Sequence, residues 1–294
     1  ETMELELKRG GRTARVETLG GELVSYRDER GLEYIWGGDP AYWPGRNPLL
    51  FPIVGTLKEG KIRFDGREYA MERHGFARRR EFTPAARGED WVRLELRESA
   101  ETLALYPYPF RLAVEQRLTD TGFSTAVTVA NPGEGPLPFC LGAHTGFRCP
   151  LEAGERFEDY ELVFPERESC PTLLLRDGLL DRPAALPCLE DTDTLPLDYR
   201  WFDALDTLIF EGLRSRSVAL RSRKSGSGVR VSFDGFPMLA FWTMPGKKAP
   251  YLCIEPWHGC SAGTAEGPEF TNKAHCIVLA PGESRTLAYR ADTL

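Results

Sequence analysis

The sequence predicts an all-β protein built from large antiparallel sheets, with few short helices. Three observations lead to this prediction. Hydrophobic residues recur mainly with a period of two, 29 glycines and 22 prolines interrupt the 294-residue chain throughout, and no segment sustains an i, i+3, i+4, i+7 spacing. A period of two is typical of strands with one buried face, and frequent turn residues favour a sandwich or barrel.

The clearest single element is a hairpin between residues 61 and 71. Alternating segments 61–64 and 67–71 flank Asp65-Gly66. An Asp-Gly pair between two alternating segments is a strong signal for a tight two-residue turn, because both turn positions need a positive φ. We therefore expect two paired strands, with Phe64 and Tyr69 on either side of the turn.

Three further pairs of alternating segments flank turns that contain glycine. They are 110–114 and 123–129 around 119–122, 218–220 and 229–233 around 225–228, and 277–279 and 286–289 around 280–283. Short helical turns are expected near 40–43 or within 170–200. Residues 166–198 are the least periodic and are predicted to form long loops over one face. With no linker-like segment or internal repeat, residues 1–294 are interpreted as a single domain.

Charge and cysteine content narrow the class of protein. The chain has 44 acidic residues against 37 Lys plus Arg, a net charge of −7, which argues against a nucleic-acid partner. No segment reaches the roughly 18–20 apolar residues of a membrane span, and the first residues lack the pattern of a signal peptide. Seven scattered cysteines indicate reduced thiols. We therefore expect a cytoplasmic protein without structural disulfides, either a monomer or a homodimer.

Two of the four histidines are candidates for proton transfer. His74 precedes Gly75, and His144 lies between Gly142 and Gly146 in an apolar segment. Histidine titrates near neutral pH, so it is the usual proton-transfer group. The alternative for each is a packed histidine that is satisfied by a backbone carbonyl, and spacing alone leaves that alternative open.

Glu255, Trp257, Asp206 and Arg46 are candidates for binding and catalysis. Glu255 ends an apolar run just before Pro256 and Trp257, so a carboxylate could lie beside an aromatic wall. An aromatic face packs well against the C–H face of a sugar ring while polar groups hold the hydroxyls. Asp206 could equally be a turn residue, Arg46 a surface residue, and Glu255 a solvated strand end.

Other motifs are weaker. Cys253, His258 and Cys260 have the composition of a metal site, but their spacing fits no known pattern, so no metal is predicted. The glycine-rich segment 225–228 lacks the ending of a phosphate loop. Arg78 and its two arginine neighbours could contact a phosphate, or could be solvated.

Four motifs occur in order along the chain: 47–55 (NPLLFPIVG), 74–78 (HGFAR), 142–147 (GAHTGF) and 253–257 (CIEPW). Taken together they resemble the aldose 1-epimerase family of galactose mutarotase-like proteins, and in particular its shorter LacX-like branch. The segments 106–110 (YPYPF) and 279–283 (LAPGE) also fit. The resemblance covers nearly the whole chain, and its specificity comes from the order of the motifs rather than from any one of them.

The resemblance implies a β-supersandwich without cofactor or metal. It implies that Glu255 is the general base, that His144 is the general acid, and that His74 is a second contact on the sugar. Asp206 matches the residue that holds sugar hydroxyls. The family's substrate-contacting arginine has no clear counterpart, because Thr56 stands where related sequences carry a basic residue. Arg46 or Lys58 are the candidate replacements.

The implied activity is the interconversion of the α and β anomers of an aldohexose. One base and one acid on opposite sides of the anomeric centre suffice for this reaction, and nothing in it requires a cofactor. A hexose-6-phosphate 1-epimerase, with Arg73 and Arg78 among its phosphate contacts, is one alternative. A non-catalytic sugar-binding or sensing module on the same fold is another, since a fold does not determine a function. The expected partner in every case is a small-molecule sugar.

Overall fold

The computed structural model describes all residues from 1 to 294 and confirms the all-β prediction. Strands contain 51% of the residues and helices 9%. The elements of the first third are β1 (Glu4–Arg9), β2 (Arg12–Glu17), β3 (Glu22–Arg27), β4 (Lys61–Phe64), β5 (Arg67–Ala70), β6 (Thr83–Arg87), β7 (Trp91–Arg97) and α1 (Ala100–Leu105).

The remaining elements complete the chain. The central ones are β8 (Arg111–Leu118), β9 (Gly122–Ala130), β10 (Leu137–Phe139), β11 (Leu141–Gly142), β12 (Thr145–Arg148), β13 (Tyr160–Arg176), β14 (Leu179–Pro196) and α2 (Tyr199–Leu205). The last are β15 (Thr207–Glu211), β16 (Ser217–Ser222), β17 (Gly228–Ser232), β18 (Met238–Trp242), β19 (Tyr251–His258), β20 (Ile277–Leu279) and β21 (Ser284–Thr293).

One 14-stranded antiparallel sheet dominates the fold. Its strands follow the order β11-β19-β18-β15-β13-β16-β17-β21-β9-β8-β7-β6, with β12 also pairing with β19 and β14 with β13. Three small sheets accompany it: β1-β2-β3, β4-β5 and β10-β20. Sheets of more than about ten strands curl or divide into packed layers, which lets distant strands share one core.

The predicted hairpins are confirmed where the alternation is regular. Asp65 and Gly66 connect β4 to β5 with φ values of 50° and 77°, as an Asp-Gly turn requires. β8 pairs with β9, and β16 pairs with β17. The segments 277–279 and 286–289 are strands, but they do not pair with each other. Strand β20 pairs with β10, and β21 pairs with β9 and β17.

The prediction of long loops over 166–198 is wrong, because most of this segment lies in the hairpin of β13 and β14. Several register shifts interrupt the pairing of these two strands, which hides the period of two. The hairpin turns at Asp177-Gly178, with φ values of 52° and 79°. The sequence therefore contained the same Asp-Gly signal that correctly located the first hairpin.

The two α-helices are short. Ser99 caps α1 through a reciprocal capping box with Thr102, a local signal that the sequence analysis missed. Asp198 caps α2 by accepting a hydrogen bond from the backbone of Arg200. Residues 40–43 form a turn and no helix. No helix is long and apolar enough to cross a membrane.

The main hydrophobic core is one cluster of 73 buried residues that extends along the chain from Leu7 to Ala291. A second cluster contains only Trp36, Ala249, Tyr251 and Cys253, with Trp43 and Trp242 packed against it. This small aromatic cluster is important because it lies beside the candidate site. All seven cysteines are unpaired.

Candidate functional site

The register on β19 brings His144 and Glu255 together. Gly142 in β11 pairs with Trp257, and Thr145 in β12 pairs with Ile254. The same register places His144, in the gap between the two short strands, opposite Glu255. The imidazole Nε2 lies 3.4 Å from the Glu255 Oε1. Both side chains are buried, with 7% of His144 and 1% of Glu255 exposed.

Asp206 reaches the same region from the other side of β19. Strand β18 pairs with β19, and β15 pairs with β18, with Thr207 opposite Trp242. Asp206 ends α2 immediately before β15 and has a φ of 64°, which is strained for a residue other than glycine. Its carboxylate accepts a hydrogen bond from the Thr207 hydroxyl at 2.7 Å and from the Trp242 indole at 3.4 Å.

His74 is held where the backbone at Gly75 packs closely against the backbone at Phe51. Gly75 bridges to Phe51, and a Cβ on Gly75 would lie only 2.2 Å from the Phe51 carbonyl oxygen, so only glycine fits there. The backbone N–H of Gly55 donates to the Nδ1 of His74 at 2.9 Å. An accepting Nδ1 carries no proton, so His74 is the neutral tautomer with its proton on Nε2.

The predicted convergence is confirmed, because all four residues line one cavity of about 120 Å³. The cavity is far smaller than the several hundred Å³ of a typical drug-sized site, so it suits a small molecule rather than a polymer. Its lining comprises Trp43, Pro48, Gly55, Arg73, His74, Arg78, His144, Leu175, Asp206, Thr207, Trp242, Glu255, Trp257 and Ser261.

Two tryptophans that the sequence analysis did not select form the aromatic side of the cavity. The rings of Trp43 and Trp242 lie 5.0 and 5.6 Å from the imidazole of His144, measured between centroids. Gly146 makes room for this packing, since a Cβ there would lie 3.0 Å from Trp43. No local pattern identifies either tryptophan, because each comes from a segment distant in sequence from the histidines.

Burial determines the charge states of the acid/base pair. Desolvation raises the pKa of Glu255 to about 8, opposed by the Trp257 indole 3.3 Å from its Oε1. Desolvation, together with the positive charges of Arg78 and Arg73, lowers the pKa of His144 to about 3. Near neutral pH, the cavity therefore holds a protonated carboxyl beside a neutral imidazole. Burial also holds the pKa of His74 well below its usual value.

The arginines near the cavity fall into two groups. Arg79 and Arg80 form ion pairs with Glu72 and Glu101. Arg73 and Arg78 line the cavity and form no ion pair within 4 Å, although Arg78 donates to the Arg73 carbonyl at 3.0 Å. The Nε of Arg78 is buried without an acceptor. Two guanidinium groups are thus available to a ligand.

The structure does not bring Arg46 into the cavity. Its guanidinium lies 3.5 Å from Glu17, and the next residue, Asn47, is the one that turns inward and is buried. Lys58 donates to the Glu266 carbonyl, and Thr56 donates to the Gly178 carbonyl. None of these three lines the cavity, and Arg73 and Arg78 are the basic residues that do.

Cys253, His258 and Cys260 do not come together as a cluster. The Nδ1 of His258 lies 2.8 Å from the carbonyl of His275. Cys253 lies instead with His144 and Glu255, and the candidate ligand atoms of these three residues are all within 4.8 Å of one another.

Comparisons with known proteins agree with this geometry. A sequence model of the aldose 1-epimerase family matches residues 3–291. The plasmid-encoded protein LacX of Lactococcus lactis subsp. lactis is 40% identical over 98% of both chains. A galactose mutarotase related enzyme from Lactobacillus acidophilus superposes with a TM-score of 0.94 at 26% identity, covering 99% of this chain and 97% of that one. A galactose mutarotase-like protein from Lactobacillus casei gives 0.93 at 26%, covering 99% and 100%. The predicted supersandwich fold is thereby confirmed.

Proposed function

The chain belongs to the aldose 1-epimerase family, and from this premise we propose that it interconverts the α and β anomers of a hexose by acid/base-catalysed ring opening and closure. The observation that carries the proposal is the buried pair of Glu255 and His144, 3.4 Å apart at one cavity. Residues from two distant parts of the chain thus supply the carboxyl and the imidazole that acid/base-catalysed anomer exchange uses.

The proposed reaction moves two protons and leaves the sugar's composition unchanged. Glu255 takes the proton of the C1 hydroxyl while His144 gives a proton to the ring oxygen O5. The C1–O5 bond breaks, and the resulting aldehyde rotates about the C1–C2 bond. The C5 hydroxyl then attacks the other face of C1, His144 takes back its proton, and Glu255 returns the proton to the new C1 hydroxyl.

The environment of the pair supports the ring-opening step. Before opening, the reactive pair is a carboxylate and an imidazolium; after opening, both groups are neutral. Burial raises the pKa of Glu255 and lowers that of His144, so it stabilises the neutral pair relative to the charged one. In the sugar-free protein the pair is also neutral, and the reactive form requires one proton to pass from the carboxyl to the imidazole.

The remaining cavity residues orient the sugar. The Nε2–H of His74, whose Nδ1 already accepts from Gly55, is a donor for an oxygen of the ring or a hydroxyl. The Asp206 carboxylate accepts from hydroxyl groups. Trp43 and Trp242 offer apolar faces to the C–H groups of the ring. These contacts hold the anomeric carbon near the acid/base pair in both the ground state and the transition state.

A phosphorylated hexose is a second candidate substrate, favoured by the arginines of the cavity. Arg73 and Arg78 lack carboxylate partners, whereas the adjacent Arg79 and Arg80 have them. Guanidinium groups bind phosphate oxygens through charge-assisted hydrogen bonds. A sugar phosphate would satisfy the buried Nε of Arg78, which a neutral hexose reaches only with a hydroxyl.

An anomer-exchange assay by polarimetry or NMR across free and phosphorylated hexoses tests the proposal. The spontaneous rate in protein-free buffer is subtracted for each sugar. Acceleration with free hexoses supports the mutarotase, and acceleration confined to phosphorylated sugars that disappears in Arg78→Gln supports the second candidate. If no sugar is accelerated while one binds, the non-catalytic binding module replaces both.

A further inference from the structure

We propose that His144 and Glu255, which line the cavity, form together with the fully buried Cys253 a binding site for a thiophilic divalent cation such as Zn²⁺ or Cd²⁺, and that the bound ion inhibits the protein. The proposal rests on the proposed function only for its inhibitory effect. The binding itself is argued from the three side chains and their surroundings.

The geometry of β19 creates the ligand set. Cys253 and Glu255 are two positions apart on one strand, so their side chains point to the same face of the sheet. The register places His144 opposite Glu255, and the three candidate ligand atoms lie within 4.8 Å of one another. Small side-chain rotations would bring them to the 2.0–2.3 Å ligand distances usual for zinc.

Two further observations bear on ligand binding at this place. The Nε2 of His144 is the nitrogen that faces Glu255, and the Nδ1 has no hydrogen-bond partner that would fix the tautomer, so Nε2 is free to be the unprotonated, ligating nitrogen. The Cys253 side chain is fully buried beside a carboxyl group rather than in purely aliphatic surroundings. A cation could reach the cluster from the cavity, because His144 and Glu255 line it.

The chemistry of the donor set determines the class of ion. One sulfur, one nitrogen and one carboxylate oxygen match zinc and cadmium, whereas magnesium and calcium prefer all-oxygen sites. Binding releases the protons of the Cys253 thiol and the Glu255 carboxyl, so the two new negative charges balance the ion. A cation on Glu255 and His144 would block both proton-transfer groups at once.

Cadmium chloride titrated into the chelator-treated full chain provides a test that does not need activity. We expect a thiolate-to-cadmium charge-transfer band in the ultraviolet that saturates at one equivalent. Cys253→Ser and Glu255→Gln should each weaken binding by more than about 100-fold, beyond the usual cost of losing an outer-shell partner. Cys253→Ala serves as a second variant should the serine disturb folding.

The matched control is Cys276→Ala, because the register of β10 and β20 extends to place Cys140 opposite Cys276, so two thiols meet there outside the proposed ligand set. This control should keep the band. A band that persists in both Cys253 variants, or that is lost in Cys276→Ala, overturns the proposal.

The kinetic arm compares each variant with and without cadmium. Cadmium should inhibit the wild type in competition with the sugar and should leave whatever activity Cys253→Ser retains unchanged at the same concentration. Equal inhibition of both proteins would contradict the proposed site. A protein that shows the band but no anomer exchange on any sugar would instead refute the proposed function and leave the metal site standing.

Discussion

Strands β9 and β19 belong to the same sheet but differ in the pattern of their burial. In β9 the buried and half-buried positions alternate, so its polar side chains can reach solvent. In β19 seven of eight residues are buried, and the carboxyl of Glu255 has no outward face to occupy. The regular strand supports the fold, whereas the strand buried on both faces holds a group that burial disfavours in its charged form.

This difference explains where the sequence was informative. The alternation of β8 and β9 predicted their pairing directly, and an Asp-Gly pair predicted the β4–β5 turn. Strand β19 has no alternation, and the role of general base was assigned to Glu255 only through the resemblance of its motif to a family. The contrast also predicts that replacing the carboxyl of Glu255 affects activity and stability in opposite directions, while replacing a carboxyl on the regular strands affects neither strongly.

The largest expected effect is on catalysis. Glu255→Gln and His144→Asn should each lower kcat by about 10²–10⁴, the usual contribution of a positioned proton-transfer group. Because the two groups act as one unit, the double variant should lose little more than the worse single variant. Steady-state anomer exchange measures this. Losses that multiply in the double variant would mean that the two residues act independently.

The control for this comparison is Glu115→Gln on β8. Glu115 is partly exposed and pairs with Arg117 in the regular part of the sheet. It should keep full activity, so a comparable loss there would show that any charge removal disturbs the sheet.

The second expected effect is on stability. Burial raises the pKa of Glu255 from 4.5 to about 8, so the folded state holds a proton that the unfolded state loses. The contribution of Glu255 to stability is therefore lost as pH rises from about 4.5 to 8, and Glu255→Gln removes that loss from the difference between the variant and the wild type. Above pH 8 the variant should be more stable by a few kcal/mol, since each pH unit between the two pKa values contributes roughly 1.4 kcal/mol. Urea unfolding at several pH values measures the difference.

Glu115→Gln again serves as the control because the Glu115 side chain is partly exposed. Its free energy of unfolding should remain within about 1 kcal/mol of that of the wild type at every pH. A Glu255→Gln variant that is less stable than the wild type above pH 8 would contradict the assigned burial of the carboxyl.

The third effect is the pH dependence of kcat/KM. With pKa values of about 3 for His144 and about 8 for Glu255, the pair holds one transferable proton throughout the range between them. We expect kcat/KM to be level between about pH 5 and 7 and to fall about tenfold per pH unit above pH 8, where that proton is lost. Rates corrected for spontaneous exchange test this. A rise through pH 8 would mean that the proton for O5 comes from another group.

The smallest effect is expected at Asp206, which lies at the start of β15 rather than on β19. Asp206→Asn keeps the shape but weakens the hydrogen bonds from sugar hydroxyls. Since these bonds exist in both the ground state and the transition state, KM should rise about tenfold with little change in kcat. Michaelis kinetics on two epimeric hexoses measure the change. A large fall in kcat alone would place Asp206 in the proton-transfer step.

Sequence reasoning reached the catalytic candidates but not their surroundings. His74, His144 and Glu255 belong to motifs and Asp206 was matched through the same resemblance, so their convergence could be predicted, and the cavity confirms it. Arg46 lies beside a motif, but its side chain pairs with Glu17 outside the cavity. The direction of a side chain in an irregular segment depends on tertiary pairing that no local pattern records.

The aromatic side of the cavity and the β13–β14 hairpin show two other limits of prediction from the sequence. Trp43 packs edge to face against Trp242 and also lies against Gly146, so this contact joins three separate segments. The register shifts of the β13–β14 hairpin conceal its period of two, although its Asp177-Gly178 turn was readable. Pairwise packing and bulges are set by the assembled sheet, so they appear only in the structure.

The most direct test of the central claim is to measure binding and anomer exchange on the same samples of wild type and Glu255→Gln. NMR exchange spectroscopy at saturating sugar gives the turnover rate, and titration of the sugar resonances gives the affinity. The account predicts that the variant binds sugar with an affinity within about tenfold of the wild type, yet exchanges anomers about 10²–10⁴ times more slowly. A variant that binds and exchanges at the wild-type rate would contradict the assignment of Glu255 as the group that takes the C1 proton.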